Sequence, residues 1–152
     1  LEEGLIESRT GALLEAFDLA TRVDARIGAL SKGMRQKLLF SGALLHDPEI
    51  IFLDEPLSGL DVRSTILIKE LVRGLAGAGK TVFYCSHMMD VVERVCDRIV
   101  ILREGRIVAD GSFEELAARS SESQLESIFA ELTGASDASQ AVSQVLAALD
   151  LS

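Results

Sequence analysis

Apolar positions recur along the chain with two periods, one helical and one of strands, and their order outlines the fold. Over Arg9–Ala20, Leu13, Leu14 and Phe17 return at helical spacing with Ala16 and Ala20 beside them, which predicts a helix. "LSKGMRQKLLFSGALLHDP" predicts a second helix, with Ser31 as its N-cap and Pro48 as its stop. "EIIFLDEP" is a short, continuous apolar run ending in acids, the pattern of a strand buried on both faces of a parallel sheet. Asp61 caps a third helix, in which Leu67, Leu71 and Leu75 are spaced by four. "TVFYCSH" reads as another buried strand, and a short helix follows over Met89–Val95.

The last third has its own signals. "RIVILREGRIVADG" predicts a hairpin turning at Glu104 and Gly105. Ser112 with Glu115 forms a capping box for the next helix. Leu125, Ile128, Phe129 and Leu132 make an amphipathic stripe. A final helix is expected from Ser139 to Leu149, after the loop "TGASDAS"; the Ala, Ser and Gln content beyond Thr133 suits a weak helix and disorder equally. The alternation of helix and strand in the middle argues an α/β fold with a parallel sheet flanked by helices.

Composition narrows the function. Of 152 residues, 24 are acidic and 15 basic, a net charge of −9, and from Phe113 onward Arg119 is the sole base. An acidic chain is unsuited to non-specific nucleic-acid binding, which depends on neutralising phosphates, so no nucleic-acid partner is expected. No apolar run approaches the roughly 20 residues of a membrane span, and the start lacks the shape of a signal peptide. Cys85 and Cys96 lie in apolar patterns and read as buried thiols rather than a disulfide or metal pair, which favours a reducing compartment.

One stretch, "GLAGAGKT" from Gly74 to Thr81, matches the phosphate-loop pattern G-x-x-x-x-G-K-[ST]. A phosphate loop needs a strand before its glycines and a helix starting at its Lys-Thr end, so that oriented N–H groups and the helix dipole meet the anion. Here the order is reversed. Gly77 and Gly79 stand where a helix should stop, Lys80 suits the negative end of its dipole, and Thr81 begins a run of strand formers. The pattern is read as a helix stop.

Chemistry is better placed elsewhere. A strand ending in Asp54 and Glu55 sets two acids at the carboxyl edge of a sheet, where ligands bind in α/β folds. Asp54 can hold Mg²⁺ and Glu55 can act as general base toward water, though an acidic turn after a plain strand would look the same. Ser31 and the backbone N–H groups around Gly33 form an anion site at a helix start, or an ordinary cap. "LSGLD" is a turn leading to the cap Asp61, and His87 ends the next strand at the same edge as Glu55.

Together these segments have the order and spacing of one family. They resemble the ATP-binding cassette (ABC) ATPases, from about Ala12 through Gly134. "LSKGM" resembles the signature, usually LSGGQ; "IIFLDE" the Walker B strand with its catalytic glutamate; "SGLD" the D-loop; and His87 the switch histidine. Lys32 stands where glycine is usual and Met34 where glutamine is usual, and signatures of the form "LSKGMRQ" are similar to those of bacterial exporter-type cassettes, as is the tail "LESIFAELTG".

The resemblance implies a P-loop NTPase sheet of ABC type, using ATP and Mg²⁺, in three parts: the end of the helical subdomain with the signature helix (1–46), part of the catalytic core (47–118) and a C-terminal helical extension (119–152). It implies that Asp54 orders Mg²⁺, that Glu55 and His87 are catalytic, and that Ser31, Lys32, Gly33, Met34 and Asp61 face ATP held by a second subunit in a head-to-tail dimer. A membrane permease is the expected further partner, holding the protein at the cytoplasmic face of the cell membrane for export. The family's phosphate loop and glutamine loop have no counterpart in the chain, which is therefore expected to be a C-terminal portion, inactive alone and prone to self-association through uncovered apolar surface. A translation or DNA-repair ATPase is the alternative; translation factors usually carry "TNHLD" where this chain has "SGLD", and DNA-repair types carry long insertions that this chain lacks. A non-catalytic structural fragment is the third reading.

Overall fold

Helices and strands alternate in the computed structural model, which describes residues 3–120, 122–134 and 138–149. The order is α1 (Glu3–Ala16), two 3-10 turns (Ala20–Arg22 and Ile27–Ala29), α2 (Lys32–Leu44), β1 (Ile50–Asp54), α3 (Val62–Gly77), β2 (Thr81–Cys85), α4 (Met89–Val95), β3 (Ile99–Arg103), β4 (Arg106–Gly111), α5 (Phe113–Ala117), α6 (Leu125–Thr133) and α7 (Ala138–Ala148). Two compact units divide between His87 and Met88. The first carries the parallel pair β1–β2, the second the antiparallel pair β3–β4.

In the first unit, α1 starts earlier and stops earlier than the periodicity predicts. Asp18 adopts φ 57°, and a left-handed residue cannot continue a right-handed helix. The chain past the helix end then turns Phe17 and Leu19 inward, each 2% exposed, and Phe17 meets the ring of Phe40 from α2 at 6.3 Å. Ser31 caps α2 as expected, its Oγ accepting from the Met34 N–H at 3.2 Å.

The strands are covered on one face. Ile51 and Leu53 are buried, whereas Ile50 and Phe52 are 55% and 74% exposed. Neither β1 nor β2 is the doubly buried strand their composition suggested. A continuous apolar run does not say how many faces are covered, because strand side chains alternate whatever their identity. The parallel register sets Phe52 opposite Phe83, and on the open face their rings stack at 4.6 Å and 6°. Cys85 lies on an exposed position of β2 rather than in the core, and Cys96 is half-buried, with burial and then Asp97 raising its thiol pKa; both are free thiols.

Helix α3 buries Ser64, Ile68 and Val72, not the Leu67–Leu71–Leu75 row, which lies one position round the helix. Its end settles the phosphate-loop look-alike. Gly79, at φ 85°, donates to Ala76 O at 2.9 Å, and the Lys80 N–H donates to Leu75 O at 3.0 Å, the paired bonds of a Schellman stop. Lys80 Nζ binds the side chain of Asp47 and, at 3.3 Å, its carbonyl.

In the second unit, Glu104 and Gly105 both have positive φ, 51° and 76°, as a two-residue type I′ hairpin turn requires. The capping box of Ser112 and Glu115 forms in full at α5. Leu125 and Ile128 of α6 are each 1% exposed, and the Leu125 N–H donates to Glu93 Oε2 of α4 at 3.3 Å. Gly134 ends α6 in the left-handed region, φ 70°. Residues 135–137 of the expected loop lie outside the described residues; beyond them α7 forms where a last helix was expected, with Val142, Val145, Leu146 and Leu149 exposed. Among the described residues no helix is long and apolar enough to cross a membrane.

Candidate functional site

Parallel pairing places the carboxyl ends of β1 and β2 side by side, with Asp54 opposite Cys85 in register. The next residue, Glu55, extends the ladder by donating its N–H to Cys85 O at 2.9 Å, and leaves the strand at φ 44°. Its carboxylate faces the end of β2. Glu55 Oε1 accepts the His87 backbone N–H at 2.9 Å and lies 2.7 Å from His87 Nδ1, while Oε2 accepts from Ser86 Oγ at 3.3 Å.

These bonds, the one to the His87 ring foremost, hold the Glu55 carboxyl below its ordinary pKa against a smaller opposing effect of burial. An ionised carboxylate only accepts, so His87 Nδ1 donates in this contact, and Nε2 takes no part in it. The His87 side chain is 80% exposed. Asp54 is exposed at the strand end.

The start of α2 meets the turn that follows Glu55. Lys32 Nζ donates to Ser58 Oγ at 2.9 Å, and Gln36 Nε2 donates to Pro56 O at 3.4 Å. Gly33 approaches so closely that a Cβ there would stand 3.0 Å from Gly59 O. An added Cβ would be tighter than an ordinary contact, and the atom it would meet belongs to the backbone.

A family model described as "ABC transporter" matches residues 6–58, from α1 through β1 and Glu55 to this turn. The ABC transporter ATP-binding protein NatA of Bacillus subtilis (strain 168) is 36% identical over 124 residues, covering 82% of this chain and 50% of that protein. The Nod factor export ATP-binding protein I of Rhizobium meliloti is 43% identical over 106 residues, covering 70% of this chain and 32% of that one. A solved structure titled "Structure of ATP binding subunit of ABC transporter" superposes with a TM-score of 0.81 at 30% identity, over 87% of this chain and 56% of that one. The chain belongs to the ABC transporter ATP-binding family. It spans half or less of the length of these curated relatives.

Within this ABC chain six of the eight expected residues fall into two groups. Glu55 and His87 are in direct contact at the strand edge. Ser31, Lys32, Gly33 and Met34 form the α2 start, where Met34 gives its N–H to Ser31. Asp61 caps α3: Oδ1 accepts the Ser64 N–H at 2.8 Å and Oδ2 accepts from Ser64 Oγ at 3.1 Å, and the first of these bonds chiefly lowers its pKa. Lys80 belongs to neither group.

Sequence reasoning passed over four residues of the candidate site and its frame. Ser86 sits inside the quoted "YCSH" and touches Glu55; Ser58 sits inside "LSGLD" and receives Lys32. Gln36 lies four residues after Lys32, on the same helical face, and that spacing was a usable signal. Asp47 gave none, since nothing local announces that a loop carboxylate will hold Lys80.

Proposed function

We propose that this chain is the C-terminal portion of an ABC ATPase subunit and that its carboxyl-edge residues hydrolyse ATP once a phosphate-loop half completes the site. The observation that carries this reading is the Glu55 carboxylate held ionised by His87 and Ser86 at the sheet edge. Glu55 accepts a proton from the attacking water; His87, through Nδ1, keeps the carboxylate aimed and presents Nε2 toward the γ-phosphate. The N–H groups at the α2 start, with Ser31, Gly33 and Met34, face the γ-phosphate of ATP on a second subunit, beside Lys32, which opens that helix. Asp61 holds the start of α3 beside that subunit.

Among the described residues no cluster of three or more His, Cys, Asp or Glu side chains could hold a metal ion. Magnesium in nucleotide sites takes one or two carboxylates and draws its other ligands from phosphates and water, so a lone exposed Asp54 fits it. Bound there with ATP, Mg²⁺ would neutralise charge on the phosphates.

By this reading residues 1–46 end the helical subdomain, 47–118 belong to the catalytic core and 119–152 extend it. Two subunits pair head to tail and drive a membrane permease from the cytoplasmic side. The name of the Nod factor export relative supports export. The chain alone is inactive, and its open Phe52–Phe83 face favours self-association, which light scattering on the purified chain would detect as a mass above the monomer's.

The test is an ATPase assay. The chain alone should show no turnover. The full-length subunit should show turnover that Glu55→Gln reduces by at least about 100-fold while ATP binding persists. Robust turnover by the 152-residue chain would refute its inactivity, and an unchanged rate in Glu55→Gln would refute the role of Glu55.

A further inference from the structure

Lys32 opens α2, and its side chain folds back over the turn after Glu55. The stem lies across Gly59, where an added Cβ would meet Lys32 Cδ at 2.7 Å and Cε at 3.0 Å. The ammonium ends on Ser58 Oγ at 2.9 Å. Gln36, one turn along the same helical face, reaches Pro56 O at 3.4 Å. Between these two bonds, Gly33 brings the α2 backbone against Gly59 O.

Three points of one helix therefore grip one turn, and that turn is continuous with Glu55. The Ser58 N–H donates to Glu55 O at 3.1 Å, and the Leu60 N–H donates to Leu57 O at 3.2 Å. Glu55 itself sits at φ 44°, a region a non-glycine residue occupies only where its surroundings impose it.

We infer that Lys32 is a positioning residue: through Ser58 it fastens the turn after Glu55 to the start of α2, and so helps hold Glu55 against His87. The inference rests on the reading of Glu55 as general base. The positive charge that the sequence places at a phosphate-binding helix start is spent inside the chain, on the segment that carries the base. The start of α2 and the base then move as one piece, which couples what α2 faces to where Glu55 points.

Amide hydrogen exchange on the purified chain tests the fastening. Lys32→Met keeps the stem and removes the donor; Ser58→Ala removes the acceptor. Each should speed exchange at the Leu60 amide about five-fold, the effect of losing one ordinary hydrogen bond. The double variant should exchange no faster than either single one, and Lys32→Arg should restore the wild-type rate. Unchanged exchange, or additive effects, would overturn the inference.

In the full-length subunit, Lys32→Met should lower kcat about five-fold with KM for ATP within about two-fold of wild type, and Lys32→Arg should recover kcat. A raised KM with kcat preserved would overturn the inference and make Lys32 a phosphate ligand. If turnover does not depend on Glu55 at all, the general-base reading fails separately, while the exchange experiment still decides whether Lys32 holds the turn.

Discussion

Glu55 and His87 are joined twice, by the backbone N–H of His87 at 2.9 Å and by its ring Nδ1 at 2.7 Å, both to the same carboxylate oxygen. The double contact predicts a graded pair of variants. In the full-length subunit, His87→Ala keeps the backbone bond and loses the ring, so turnover should fall about ten-fold, the scale of one hydrogen bond to a charged group. That is less than the loss expected from Glu55→Gln. Steady-state ATPase rates decide it: equal losses in the two variants would mean that turnover depends on the ring as much as on the Glu55 carboxylate itself.

Lys80 makes the opposite prediction. Its ammonium is committed to Asp47, and its backbone closes α3. Lys80→Ala should leave ATP affinity and turnover of the full-length subunit unchanged. In the chain alone it should lower the melting temperature only slightly, by about 2 °C, as expected for an ion pair at the surface. A large loss of nucleotide binding would restore "GLAGAGKT" as a phosphate site.

Two glycines with positive φ should respond differently to alanine. At Gly79, φ 85°, an added Cβ meets nothing within 4 Å, so Gly79→Ala should cost only the left-handed strain, about 1–2 kcal/mol. At Gly59, φ 76°, the new methyl would also displace the Lys32 stem. Gly59→Ala should therefore cost more, and the excess should vanish in a Lys32→Ala background. Urea denaturation of the four variants measures this directly.

Arg98 grips Asp110 with two bonds, Nε to Oδ1 at 2.7 Å and Nη2 to Oδ2 at 2.8 Å, and the hydrogen bonding holds the Asp110 carboxyl below its ordinary pKa. A folded pKa below the unfolded one means that the stabilisation is complete above the unfolded value, about 4. It is lost as the pH falls through the lower folded value. Wild type and Asp110→Asn should thus differ in stability by a constant amount from about pH 5 to 8 and converge in more acid solution. A gap that widened toward acid would contradict this sign.

Much of the secondary structure was legible because its causes are local. The caps Ser31, Asp61 and Ser112, the hairpin turn at Glu104 and Gly105, and the stop at Gly79 each follow from a few neighbouring residues. Where the expectation failed, a packing choice decided. Asp18 ended α1 and sent Phe17 and Leu19 inward; α3 turned Ile68 and Val72 to the core instead of its leucine row; Phe52 and Phe83 came to lie on an open face. Periodicity marks a face as apolar but does not say what covers it.

The same division holds at the site. By itself the sequence determined which groups stand at the candidate site: an acid pair closing one strand, a histidine closing another, a capped helix start and a glycine-bearing turn. Those placements come from local pattern and chain order. Tertiary structure alone decided that Glu55 meets His87 and Ser86, and that Lys32 reaches Ser58 rather than open solvent. The first depends on the register that sets Asp54 opposite Cys85, the second on how closely α2 approaches the turn at Gly59. Both are distances between residues far apart in the chain, and no local pattern contains them.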